Sequence, residues 1–89
     1  MRNITKYGQK NLRSVSTNGL DKVLYSYTTP VAIVQNGEYF VTEQKFSVTT
    51  SKHINFFLKR EKAPTSIKIS QESIQEKAKQ LLGANQLFV

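Results

Sequence analysis

The sequence predicts a single α+β domain: a small curled antiparallel sheet of three to five strands with two helices. Three observations predict it. Asn36-Gly37 sits between two runs rich in β-branched and aromatic residues, the mark of a tight hairpin. Ile74, Ala78, Leu81 and Leu82 recur at helical spacing between Ser70 and Gly83. Finally, 89 residues suffice for one modest hydrophobic core and no more.

Residues 1–13 carry Arg2, Lys6, Lys10 and Arg13 with no acid, and little apolar material. They read as a basic arm, either flexible or a polar first element, ahead of an α+β domain over residues 14–89. Lys22–Thr28 has the composition of a strand. Pro30 then interrupts, because proline cannot donate to a ladder and biases Thr29 towards extended backbone. In the following hairpin a two-residue type I′ turn pairs Val34 with Tyr39, Ala32 with Val41 and Ile33 with Phe40. Both of its faces are apolar, so it is expected to be central or covered on both sides.

Phe46–Thr49 is a further strand-like run. Ile54, Phe57 and Leu58 then mark a short amphipathic helix over about residues 51–60, with Thr50 or Ser51 as N-cap and Lys59 and Arg60 in its last turn. Pro64 marks a loop, Ile67-Lys68-Ile69 a short edge strand, and Ser70 caps a second helix over about residues 71–82 that Gly83 stops. The apolar tail Leu87-Phe88-Val89 is expected to dock as a strand or plug.

Charge is unevenly placed. The net charge of +7 comes from two segments of +4, residues 1–13 and residues 52–68, on either side of a nearly neutral stretch. Such clustering favours a polyanionic partner over a uniform solubilising coat. The second segment holds Lys52, Lys59, Arg60 and Lys62. Thr49, Thr50, Ser51, Lys52 and His53 lie where a strand would hand over to a helix, a place where free N–H groups and the helix dipole favour an anion. The plainer reading of those five residues is a polar helix cap with a solvated lysine. Tyr25 and Tyr27, at strand spacing, are the candidates for stacking on bases; the other aromatics read as core.

Other chemistries lack residues. There is no Cys, which excludes disulfides and thiolate metal sites. One histidine without a suitably spaced partner gives no metal site. Ser51 and His53, two apart on a helix, do not face each other, so no catalytic pair is read there and no enzyme is expected. No P-loop or dinucleotide fingerprint occurs, so no cofactor is expected. No apolar run is long enough to span a bilayer, and no secretory signal is seen, which favours the cytoplasm.

Two phrases carry a resemblance. Ser26–Ala32 has the form SYxTPVA, and Ser47–Asn55 reads SVTTSKHIN. With their flanks, Tyr25 and Phe46, they resemble a family of short, uncharacterised proteins encoded mainly by tailed bacteriophages, over about a third to a half of the chain. The resemblance implies a phage setting, hence the cytoplasm of a bacterial host, and no particular activity. The expectation is an accessory protein that binds DNA or RNA non-enzymatically through its clustered basic residues. The alternatives are an inhibitor that docks on an acidic host protein, such as a polymerase or defence nuclease, and a virion component. A homodimer is a further option.

Overall fold

The computed structural model describes residues 3–16 and 20–83. Arg2 and the tail Leu87-Phe88-Val89 lie outside the described residues. The described residues form six strands and two helices: β1 (Asn3–Lys6), β2 (Leu12–Ser16), β3 (Lys22–Ser26), β4 (Thr29–Gln35), β5 (Glu38–Thr42), α1 (Val48–Glu61), β6 (Ile67–Ile69) and α2 (Gln71–Leu82). The strands lie in sequence order in one open sheet. The first five are antiparallel neighbours, whereas β6 returns beside β5 in parallel after the α1 crossover. The sheet is therefore mixed, with more strands than the sequence predicts.

The β4–β5 hairpin has the predicted register, with Val34 opposite Tyr39, Ile33 opposite Phe40 and Ala32 opposite Val41. Asn36 at φ 53° and Gly37 at φ 79° supply the two positive dihedrals that this turn demands. Both hairpin faces are covered. On one, Leu24, Ala32, Val34 and Val41 pack with Phe57 of α1. On the other, Val23, Tyr25 and Ile33 pack with Ile74, Ala78 and Leu82 of α2. The result is three layers, helix on sheet on helix.

Pro30 stands inside β4 rather than before it. The register shifts there, Leu24 facing Ala32 while Tyr25 faces Pro30, so Val31 is the extra residue of a bulge. A bulge is one of the few strand positions that tolerate the missing N–H of proline.

Two expectations are resolved or corrected. Residues 3–6 are an edge strand, paired from Asn3↔Ser16 to Lys6↔Arg13, so the polar first element is the form that the described part of the basic segment takes. Phe46–Thr49 is not a strand: α1 begins at Val48, and Ser47 is its N-cap, its hydroxyl accepting from the Thr50 amide at 3.1 Å. Val48 is 73% exposed, with no sheet surface against which its β-branched side chain could pack. The C-terminal helix spans the predicted residues, with Ser70 accepting from the Ser73 amide and Gly83 at its end.

Candidate functional site

Strand directions sort the loops into two ends. At one end lie the 7–11 loop, the Tyr27–Thr28 turn and the N-termini of both helices. Contacts tie these together: the Tyr27 amide donates to the Asn11 carbonyl at 2.7 Å, Arg13 Nη1 to the Tyr27 carbonyl at 2.9 Å, and Gln71 Nε2 to the Pro30 carbonyl at 2.8 Å. At the other end the Asn36 amide donates to Asp21 Oδ1, and Lys22 pairs with Glu61 at 2.8 Å. Asp21, Glu38 and Glu61, half of the acids in the sequence, thus gather away from the N-terminal loops of the helices.

The pivotal residue is Tyr7, which follows β1 and is buried beneath α1. Its ring meets Phe56 and Phe57 edge-on, both at 6.1 Å between centroids. Its hydroxyl bonds the buried Ser14 Oγ at 2.7 Å, and the Arg60 guanidinium lies 5.5 Å above its ring centre. Lys52, Phe56, Lys59 and Arg60 fall at i, i+4, i+7 and i+8, one flank of a helix. Since Phe56 and Arg60 of that flank touch Tyr7, the flank faces the β1–β2 hairpin. Tyr7 therefore brings the two basic segments to the same edge of the sheet.

Lys6, Lys10 and Arg13 line a groove of about 740 Å³ over the same hairpin, together with Ile4. No acid lines it. By strand pairing, Ile4 and Lys6 share a sheet face with Val15 and Arg13, the face that carries α2. α2 packs mainly over β3, β4 and β5; Val15 of β2 is buried in the same cluster, while Ile4 of β1 stays 48% exposed. Basic groups thus border β1 from both faces, with Lys52, Lys59 and Arg60 on the α1 side and Lys6, Lys10 and Arg13 on the α2 side. Lys62 caps α1 in the left-handed conformation, φ 56°, and is exposed at the far end of the helix.

The segment Thr49–His53 does not present one surface. Thr49, Ser51 and Lys52 are exposed, whereas Thr50 and His53 point into the core. His53, 3% exposed, bonds Ser26 Oγ through Nδ1 at 2.8 Å, and Ser26 Oγ is 3.1 Å from Thr50 Oγ1. Burial disfavours the charged imidazole and lowers the pKa of His53 below 6.5. This network pins the start of α1 to the end of β3. Ser26 is the partner that sequence spacing could not reveal, since 27 residues separate it from His53.

The two stacking candidates separate. Tyr25 is fully buried under α2, with the Arg13 guanidinium 4.9 Å from its ring centre, so it cannot stack on a base. Tyr27 leaves the strand at φ 61°, is 48% exposed and lies 6.2 Å from the His53 ring. Among the described residues no group of acids and histidine is placed to hold a metal ion, and no helix is long and apolar enough to cross a membrane.

Fold and surface together define a small three-layer α+β domain with cations concentrated around one sheet edge. Residues 2–76 match the model of a family described as a family of unknown function (DUF8033), and the chain belongs to that family. No curated protein and no solved structure matches it.

Proposed function

We propose that the protein binds nucleic acid, without catalysing a reaction, through the basic groups that border β1. The observation that carries this reading is the Tyr7 contact with Phe56, Phe57 and Arg60, which joins two basic segments far apart in sequence at one edge of the sheet. Lys52, Lys59 and Arg60 contact phosphates from the α1 flank, and Lys6, Lys10 and Arg13 from the hairpin; Lys62 adds charge at the end of the helix. Exposed Tyr27 offers a ring for stacking at the loop end. A non-catalytic role fits the Ser26–His53 pair, which is sealed in the core as part of the packing. The phage setting implied by the SYxTPVA and SVTTSKHIN phrases belongs to this reading, as an accessory protein acting in a bacterial host.

Binding to labelled DNA and RNA across a salt series tests the proposal. Each phosphate contact contributes a slope of about −0.7 to −0.9 in log affinity against log salt. Four or more contacts should therefore cost more than about tenfold in affinity between about 50 and about 200 mM salt. A flat dependence, or no binding, refutes it. If affinity purification from nuclease-treated host lysate retains an acidic protein and no nucleic acid binds, the inhibitor reading takes its place.

A further inference from the structure

We propose that the groove over the β1–β2 hairpin seats a segment of single-stranded nucleic acid, and that duplex is not its ligand; this rests on the nucleic-acid reading above. The groove has the size for a short stretch of single strand. A groove of about 740 Å³ falls within the range of small-ligand pockets, about 300–1,000 Å³, enough for a nucleotide or two.

The groove lining mixes apolar and basic side chains. Ile4 is 48% exposed and lies among Lys6, Lys10 and Arg13. A duplex turns phosphates outward and keeps its base faces stacked inside, so an apolar side chain amid three cations finds little to cover it. A single strand offers both a phosphate for the cations and an unstacked base or sugar for the isoleucine.

Part of the groove wall is ordered before any ligand arrives. Arg13 is held by the Tyr27 carbonyl and by the Tyr25 ring, and its Nε is buried without an acceptor, so the protein fixes the guanidinium without saturating it. The loop wall is tied at both ends, through Tyr7 to Ser14 and through Asn11 to Tyr27. Groups ordered before binding lose less entropy when the ligand arrives. Lys6 and Lys10, exposed and without an acidic partner among the described residues, are the outer phosphate contacts.

The test uses the whole chain with labelled oligonucleotides of about ten residues, single-stranded and duplex, measured by anisotropy over the salt series. The Lys6→Gln/Lys10→Gln variant should flatten the single-strand slope by about 1.4, two contacts at about 0.7 each. Ile4→Ser should weaken single-strand binding about fivefold with the slope unchanged, the signature of a lost apolar contact. On the wild-type chain, the single strand should protect Lys6 and Lys10 from a lysine-acetylating reagent, a readout independent of any variant's folding. An unchanged slope in the double variant, equal losses for duplex and single strand, or no protection of Lys6 and Lys10 overturns the groove assignment while general binding stands. Displacement by polyglutamate as effective as by an oligonucleotide of equal charge overturns it too. Failure of the wild-type chain to bind any nucleic acid overturns both proposals.

Discussion

Replacing Tyr7 should cost more than replacing any basic residue. In Tyr7→Ala a buried ring is lost beneath α1, and large aromatic truncations in cores cost about 3–5 kcal/mol. Two edge-to-face contacts, each worth about 0.5–1.5 kcal/mol beyond area burial, disappear with it. Tyr7→Phe keeps the ring and removes only the hydroxyl, stranding the buried Ser14 Oγ, for about 1–2 kcal/mol. Arg60→Ala loses a half-solvated cation–π contact worth about 0.5–1 kcal/mol. Domains of this kind hold about 5–15 kcal/mol in total, so Tyr7→Ala should be close to unfolding while the other two stay folded. Urea denaturation followed by circular dichroism gives all three values. A Tyr7/Arg60 double-mutant cycle should show coupling above about 0.5 kcal/mol. If Tyr7→Ala costs less than about 1 kcal/mol, the hairpin is not packed on α1. The basic groups of α1 and of the hairpin then no longer share an edge.

Two further perturbations follow from the network and the turn. His53 has a lower pKa folded than unfolded, so below 6.5 the unfolded chain binds more protons. Stability should be fully present above 6.5 and fall as pH drops from there through the folded value. His53→Gln should flatten that slope between about pH 7 and pH 5, and identical pH profiles for the two proteins would contradict the network. Gly37→Ala meets no atom within 4 Å but must hold φ +79°, so the cost is backbone strain of about 1–2 kcal/mol. That should lower the melting temperature by about 4–16 °C in calorimetry, at about 4–8 °C per kcal/mol.

How much could be foreseen depended on whether the signal was local. The β4–β5 hairpin was legible because Asn36-Gly37 dictates its own register, and α2 because its stripe, Ser70 and Gly83 agree. β1 and β2 were not, since a four-residue strand such as Asn3–Lys6 is too short and polar to show a period, and its order comes from pairing with β2. Phe46–Thr49 has strand-forming residues, but Ser47 caps a helix there and no neighbouring strand competes. Tyr25 and Tyr27 differ for reasons lodged elsewhere in the chain: α2 covers one, while a positive dihedral turns the other out. The basic segments themselves were visible; that Tyr7 would bind one to the other was not. Neither was the inward turn of Thr50 and His53, which needed Ser26.

The strand order also bears on how the molecule comes to be folded. Five strands pair each with its immediate predecessor, so most of the sheet can zip from one end with short loop closures. Only β6 requires a long excursion, through α1, before it reaches β5. On a ribosome the meander can assemble in the order of synthesis, and the crossover closes last. The basic edge belongs to the first hairpin made, but its other half rides on α1. The two halves therefore meet only when α1 docks, and a chain that has folded just its meander carries an incomplete edge.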